Sequence, residues 1–304
     1  MPIQSHPTPL DPIPLSPMPP IQPHLTHPTH PILKGKKMLE LYHNGASTCS
    51  QKVRMILAEK GLDFTSHPVD LIAGEQHAPA YVKLNPNHVV PTLVDDGAVF
   101  IESTLINEYL DEAFPEPPMR PAEPAGRHAV RLWIKRFDES IQGAIGVVTF
   151  AIGPRRLLLE QPEEVREANI NAMPDPVKRA LRRSVIEHGI QAPEFAGALA
   201  RLVALLDDME TALSAQPWLS GEDFGLADAG VLPYVLRLDH LAMTPLLAAD
   251  VRPRLADWYA RVQARPAFSV AVTEWLPAPV LAIFRAGGEA VWADVEPMTR
   301  TAKN

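Results

Sequence analysis

Four small polar side chains in a row form the stretch of this sequence best suited to chemistry: Ser47, Thr48, Cys49 and Ser50. They follow a short apolar strand candidate, residues 39–42, and precede an amphipathic helix pattern. Backbone N–H groups and hydroxyls at the positive end of a helix favour a bound anion. A thiolate is such an anion. We therefore predict that this turn stabilises a negatively charged group such as a thiolate.

Two further motifs predict a peptide-binding edge. Val90-Pro91 opens a strand candidate on a proline, and such prolines recur in the cis form in thioredoxin-like units. The bend leaves the N–H and C=O of Val90 available to pair with an added peptide strand. Glu102-Ser103 begins a helix, where the Ser103 hydroxyl and the amides can hold a carboxylate and Glu102 can accept from an ammonium. A turn proline and a simple N-cap are the alternatives for each motif alone.

The surrounding residues, 38–115, are predicted to form a compact α/β unit. Its strand candidates are residues 39–42, 64–69, 90–94 and 99–101. The first two strands flank a helix, which implies a parallel pair, and Asp96-Gly97 is a hairpin signal, which implies an antiparallel pair. The fold class is therefore an α/β domain with a mixed sheet, and the proline-rich stretch 114–118 ends it.

Helical patterns replace strand patterns further on. We predict an all-α helical domain over residues 120–277, in which 196–213 is the clearest amphipathic helix and Asp175-Pro176 begins another. Residues 278–304 are predicted to be a less regular tail that covers a groove. Residues 1–37 are dense in proline and histidine, and this composition predicts a disordered or polyproline-like arm.

Composition excludes several classes of function. The 304 residues, 46% of them apolar, suffice for about two domains with a sizeable core. A formal charge of −8 argues against nucleic acid or an anionic membrane as partner, and no apolar run is long enough to span a bilayer. The single cysteine, Cys49, excludes an intrachain disulfide and a multi-cysteine metal site. Because no signal-peptide pattern is present either, we expect a cytoplasmic protein without a bound metal.

In their order and spacing, four segments resemble a soluble glutathione transferase: residues 41–60, 85–93, 102–110 and 224–228. The resemblance spans roughly residues 38–275 and both predicted domains. It implies a thioredoxin-like glutathione-binding domain followed by the all-α domain, usually in a homodimer. The implied partners are glutathione, as co-substrate, and a small hydrophobic electrophile.

The resemblance also implies roles for single residues. Ser47 matches the catalytic hydroxyl of the serine-type classes, a hydrogen-bond donor to the glutathione sulfur. The implied glutathione-binding positions are His88, Val90, Pro91, Glu102 and Ser103. Among these, Val90 matches the residue that pairs with the cysteinyl backbone, and His88 lies near the glycine end. Glu102 and Ser103 match the ligands of the γ-glutamyl group.

The turn leaves alternatives open. Ser50 is most simply the helix N-cap. Cys49 is either a small apolar neighbour or, near a helix start, a nucleophile that forms a mixed disulfide with glutathione. The turn also resembles bacterial β-etherase-type members, in which the functional group lies near Cys49 and Ser50. The alternative functions are therefore glutathione-dependent β-aryl ether cleavage or dehalogenation, and a glutathione-binding protein without turnover.

The helical domain is expected to supply the electrophile pocket. Trp133, Phe137 and Ile141 are candidates to line it, although aromatic stripes on helices more often belong to a core. Gly225 stands where the family usually has Ser or Thr three residues before the aspartate of an inner helix. Asp228 can still reach back to the backbone N–H of Gly225, so we predict that Asp228 serves folding and not chemistry.

Overall fold

The structure, a computed structural model, describes residues 39–301. The predicted arm over residues 1–37 and the last three residues of the predicted tail lie outside the described residues. Residues 39–301 belong to one compact unit, so the α/β part and the helical part are packed together.

A four-stranded mixed sheet, in the order β2-β1-β3-β4, confirms the predicted sheet type. The strands are β1 (Leu39–His43), β2 (Phe64–Pro68), β3 (Thr92–Asp95) and β4 (Ala98–Phe100). β1 runs parallel to β2 and antiparallel to β3, and β3 and β4 form the predicted hairpin. Asp96 and Gly97 both have positive φ, as the tight hairpin turn requires.

Three helices accompany the sheet: α1 (Thr48–Glu59), α2 (Pro79–Val82) and α3 (Ser103–Ala113). The apolar stripe of α1, including Val53, Ile56 and Leu57, is fully buried, which agrees with the predicted amphipathic helix. The prediction that Ser50 caps α1 is wrong. The N-cap is Ser47, whose Oγ accepts a hydrogen bond from the Ser50 N–H at 3.2 Å, because the helix already begins at Thr48.

Ten helices follow in the second part of the described chain: α4 (Pro124–Arg136), α5 (Gln142–Ile152), α6 (Arg155–Glu160), α7 (Glu163–Asn171), α8 (Pro176–His188), α9 (Phe195–Ala212), α10 (Leu226–His240), α11 (Pro253–Gln263), α12 (Pro266–Ala271) and α13 (Ala278–Thr301). A π-helical turn, Phe137–Ile141, joins α4 to α5. Asp175 caps α8 as predicted, with its side chain accepting from two backbone N–H groups.

The prediction of a less regular tail is wrong, because residues 278–301 form the long helix α13. Gly287 and Gly288 allow this helix to approach its neighbours closely. A Cβ atom on Gly288 would lie 1.6 Å from the carbonyl oxygen of Leu241, and one on Gly287 would lie 2.8 Å from that of Ile152. Close packing thus offsets the usual cost of glycine inside a helix.

The helical part packs directly on α1, which contacts both α10 and α12. Arg265, just before α12, donates to the Glu59 carboxylate at the end of α1, with N–O distances of 2.5 and 2.8 Å. Within residues 39–301, no single helix combines the length and the apolar character needed to cross a membrane, although two sharply bent helix pairs reach that length and composition together.

Candidate active site

The strand register places the predicted motifs at one end of the sheet. Tyr42, near the end of β1, is opposite Thr92, the first residue of β3, and Phe100, the last residue of β4, is opposite Leu93. The chain therefore leaves β1 towards the 44–50 turn and enters β3 from Val90-Pro91 at the same end of the sheet. It also leaves β4 towards Glu102-Ser103 at that end. Residues far apart in sequence are thereby gathered around the start of α1.

Ser47 is the hydroxyl best placed to act as a donor in this turn. Its side chain is partly exposed, and its Oγ accepts from the Ser50 N–H, which leaves the hydroxyl hydrogen without an acceptor among the described residues. Asn44 holds the turn, because its Oδ1 accepts from the Ala46 N–H and its Nδ2 donates to the Val69 carbonyl oxygen. Ser47 can therefore donate a hydrogen bond to a bound anion without losing its capping role.

The other side chains of the turn have different surroundings. Ser50 is fully buried, and its Oγ accepts from the Asn44 N–H at 3.3 Å, so this hydroxyl supports the turn. Thr48 is also buried, whereas Cys49 is partly exposed and forms no disulfide. Ser47 and Cys49 are consequently the two candidates that a bound molecule can reach.

A buried polar cluster fixes the loop before β3, and sequence reasoning missed it. The Tyr81 hydroxyl donates to the Val89 carbonyl oxygen at 2.6 Å, and Asn85 Nδ2 donates to the same oxygen at 2.9 Å. Both side chains also contact Thr92 Oγ1, at 3.0 and 3.1 Å. The next peptide bond, Val90-Pro91, is cis as predicted, and both of its residues are buried. A tyrosine and an asparagine just upstream of Val90-Pro91 are the signal that could have revealed this support.

Glu102 and Ser103 lie at the start of α3, as predicted. Glu102 is exposed and has φ = 68°, a left-handed conformation that non-glycine residues seldom adopt. Its Oε1 accepts from Asn87 Nδ2 at 3.0 Å, so the loop before β3 holds the carboxylate. Ser103 is buried at the first position of the helix, where free backbone N–H groups favour a carboxylate.

His88 pairs with His77, a residue that sequence reasoning missed. Their Nδ1 atoms are 3.0 Å apart, so one ring must donate and the other accept. Burial, followed by the proximity of His88, lowers the pKa of His77. No group of three His, Cys, Asp or Glu side chains within the described range is arranged to hold a metal ion.

The chain matches one family in both of its parts. Residues 46–113 match the glutathione S-transferase N-terminal domain and residues 187–261 match the C-terminal domain. Protein LigF of Sphingobium sp. strain SYK-6 is 30% identical over 233 residues, which cover 75% of this chain and 91% of LigF. The chain belongs to the glutathione S-transferase family. The family, the fold and the enzyme class predicted from sequence are thus confirmed.

Other relatives of this transferase agree. Tetrachloro-p-hydroquinone reductive dehalogenase of Sphingobium chlorophenolicum is 30% identical over 243 residues, covering 77% of this chain and 95% of that protein. The crystal structure of beta-etherase LigF superposes with a TM-score of 0.71 at 31% identity, covering 77% of this chain and 98% of LigF. A theta-class glutathione S-transferase from Xanthomonas axonopodis pv. citri with glutathione bound gives a TM-score of 0.57 at 26% identity, covering 77% of this chain and 96% of that one.

Three buried cations lie on the helices that pack at the turn of this transferase: Lys52 and Arg54 on α1, and Arg237 on α10. None of the three forms an ion pair with a carboxylate within residues 39–301. The Arg54 guanidinium donates to the carbonyl oxygens of Asn44 and Gly45 at 3.1 and 3.0 Å, and Arg237 Nη2 donates to the carbonyl oxygen of Ala46. Two buried guanidinium groups therefore contact the turn just before Ser47.

Burial lowers the pKa values of the two arginines but does not neutralise them at pH 7. It lowers the pKa of Arg54 to about 9 and that of Arg237 to about 10, so both groups are charged at neutral pH. Burial alone would lower the pKa of Lys52, but Tyr234, Cys49 and Asp138 outweigh it and hold that pKa above its ordinary value. All three side chains are thus cations at neutral pH.

The predicted pocket residues differ in exposure. Phe137 and Ile141 are 0% and 1% exposed and belong to the hydrophobic core. The Phe137 ring packs against Gly230 of α10, where it is the group that an added Cβ atom would meet. A π-helical turn carries both residues inward, so their burial favours a core role over pocket lining. Trp133, one turn earlier, is partly exposed and is the member of the set that a substrate can contact.

Proposed function

We propose that this glutathione S-transferase binds glutathione at the start of α1 and activates its thiol for attack on a small apolar or aromatic electrophile. One observation carries the proposal. The Ser47 hydroxyl is accessible at a helix N-terminus, in a turn whose carbonyl oxygens accept from Arg54 and Arg237, two buried cations that pair with no carboxylate within residues 39–301. Such a place favours an anion, and the substrate thiol becomes one when it loses its proton.

Each end of glutathione has a proposed partner. Val90, beside Pro91, offers its backbone to the cysteinyl unit, as an added strand would use it. Ser103 and the free N–H groups of α3 receive the γ-glutamyl carboxylate, and Glu102 accepts from the ammonium. His88, supported by His77, lies on the loop proposed for the glycine end.

These groups can supply the free energy that is needed to lower the pKa of the glutathione thiol. A free thiol has a pKa near 8.5, so lowering it by about two units needs roughly 3 kcal/mol in favour of the anion. A hydroxyl hydrogen bond to a charged acceptor and a helix N-terminus together supply a free energy of that order. Ser47 acts in this scheme as a hydrogen-bond donor, and the glutathione sulfur is the nucleophile.

A second candidate function keeps the same binding site but uses Cys49. This thiol is partly exposed beside Ser47, and two relatives are described as a beta-etherase and a reductive dehalogenase. In that case glutathione displaces halide from the aromatic ring, and the Cys49 thiolate then attacks the sulfur of the resulting thioether. The carbon–sulfur bond breaks, the ring takes up a proton and leaves in reduced form, and Cys49 is left in a mixed disulfide with glutathione. Alternatively, the site cleaves aryl ethers. A glutathione-binding protein without turnover is the third possibility. Family membership and the single cysteine also support a homodimer in the cytoplasm.

Separate replacement of Ser47 and Cys49 by alanine tests these proposals. Ser47→Ala should keep glutathione binding, measured by calorimetry, and lose most turnover of aryl halides and aryl ethers. Cys49→Ala should keep both. Ser50→Ala is the matched control, because this buried hydroxyl only supports the turn and its loss should affect stability.

Three outcomes would overturn the assignment. Loss of turnover only in Cys49→Ala, with a glutathionylated protein seen by mass spectrometry, would transfer the chemistry to Cys49. Binding without turnover of any compound in the panel would favour the non-catalytic alternative. No heat with glutathione on folded wild-type protein would refute the proposed function altogether.

A further inference from the structure

Lys52 is a buried cation that forms no ion pair within the described residues. Its side chain is 0% exposed, and its Nζ atom has no hydrogen-bond partner among the described residues. Lys60, at the other end of α1, shows the contrast. Its equally buried Nζ donates to Asp111 at 2.8 Å and to the carbonyl oxygens of Phe114 and Pro117. A lysine kept buried without such partners is costly, so its position calls for a reason.

The groups that face Lys52 come from three elements. From α10, Tyr234 presents its ring face, with the Nζ atom 4.8 Å from the ring centroid, while its hydroxyl donates to Gln142. From the π-helical turn, Asp138 is exposed and already accepts from Thr104 at 2.7 Å. From α1 itself, Cys49 lies three residues earlier, on the same face of the helix. None of these contacts neutralises the ammonium.

The direction of the side chain brings its charge towards the turn. Side chains of an α-helix lean towards the N-terminus, and five residues span about 7.5 Å along the axis. Since five residues also turn about 140° around the axis, the Lys52 ammonium is on the order of 10 Å from Ser47. Water is excluded from the intervening region, where Gln51 and Ser50 are also buried. A charge at that distance acts through a weakly screening medium.

We propose that Lys52 is a positioning residue of the reaction, whose buried ammonium stabilises the thiolate of bound glutathione through space while the thiol proton leaves to solvent. This inference rests on the proposed function. Arg54 and Arg237 differ from Lys52, because they donate to the carbonyl oxygens of the turn and so shape it. Lys52 donates to none of these carbonyl oxygens, so what it can contribute to the turn is its charge.

The test compares two lysine-to-methionine variants on the same helix. In Lys52→Met the acid dissociation constant of the bound glutathione thiol should fall about tenfold, a rise in its pKa of about one unit, as expected for one charge about 10 Å away at an effective dielectric constant of about 20–40. The readout is the ultraviolet absorbance of the thiolate during a pH titration at saturating glutathione. Lys60→Met, which removes a buried ion pair away from the turn, should lower stability and leave the titration unchanged.

Two more variants keep the proposal falsifiable. Lys52→Arg preserves the charge and should titrate like the wild type, and Lys52→Gln replaces the methionine variant if that protein does not fold. An unchanged thiolate titration in a folded, glutathione-binding variant without the charge would overturn the role of Lys52, and so would an arginine variant that titrates like the uncharged one. Absence of glutathione binding by the wild type would instead refute the proposed function.

Discussion

Replacement of Asp228 by alanine should destabilise the helical part and leave the turnover of the folded variant intact. Its carboxylate is 0% exposed and accepts four hydrogen bonds. The donors are the N–H groups of Leu219, Ser220 and Gly225, at 2.8, 3.0 and 3.2 Å, and Trp258 Nε1 at 2.8 Å. One side chain thus joins the loop before α10, the start of α10 and α11.

The magnitude follows from the groups left behind. Each buried donor without a partner costs about 1–3 kcal/mol. Burial raises the pKa of Asp228, against hydrogen bonds from Trp258, Ser220 and Leu219 that lower it, so removal of the charge recovers part of that cost. Breaking such a buried charged network leaves a net loss of about 3–5 kcal/mol. For a chain of this size that loss lowers the thermal midpoint by roughly 6–20 °C.

The assay is thermal unfolding followed by circular dichroism, with turnover measured at a temperature where each variant is folded. Asp257→Ala is the matched control, because this side chain is 68% exposed and pairs only with Arg261 one turn away. Its midpoint should change by no more than a surface substitution allows, about 0.5 kcal/mol. An unchanged midpoint in Asp228→Ala together with abolished turnover would refute the structural role.

Two further predictions concern the end of β1 and the turn that follows it. Burial, with Arg54 beside it, lowers the pKa of His43 to about 4 from 6.5, so below pH 6.5 the unfolded chain binds a proton that the folded protein does not. Stability should therefore fall by about 2 kcal/mol between pH 7 and pH 5 in denaturant unfolding, and a His43→Asn variant with the same pH slope would contradict this. Gly45→Ala should cost about 1–3 kcal/mol in thermal unfolding, because its Cβ would lie 2.0 Å from the Trp275 carbonyl oxygen. Gly143→Ala, with nothing within 4 Å, should not destabilise, and equal midpoints for the two alanine variants would disprove the clash.

Local signals explain what could be predicted from the sequence. The mixed sheet follows from a strand–helix–strand pattern and the Asp96-Gly97 turn, both of which act over a few residues. The reach of Asp228 to the Gly225 N–H follows from their spacing alone. The structure adds why glycine stands at 225: a Cβ there would lie 2.3 Å from the Met119 carbonyl oxygen, in a segment distant in sequence.

Nonlocal packing explains what could not be predicted. Lys52 and Arg54 alternate with apolar residues in an amphipathic helix, a pattern typical of a solvated polar face. They are buried because α10 and α12 cover that face, and no short-range sequence pattern predicts this packing. The capping of α1 by Ser47 could not be separated from capping by Ser50, because both are serines that precede the same apolar run and differ only in where the turn closes.

The two arginines give the turn its polarity. The carbonyl oxygens of three consecutive residues, 44–46, accept from Arg54 and Arg237, so the negative ends of these peptide groups point at guanidinium groups. The N–H groups at the start of α1 and the Ser47 hydroxyl are thereby left as the groups that meet a ligand from the other side. Because Arg237 belongs to α10 and Arg54 also donates to the Ala271 carbonyl oxygen of α12, the helical part of the chain contributes to the anion site proposed for the α/β part. The electrostatics of the proposed thiolate site is therefore a property of the packed pair of domains, and neither part of the chain contains it alone.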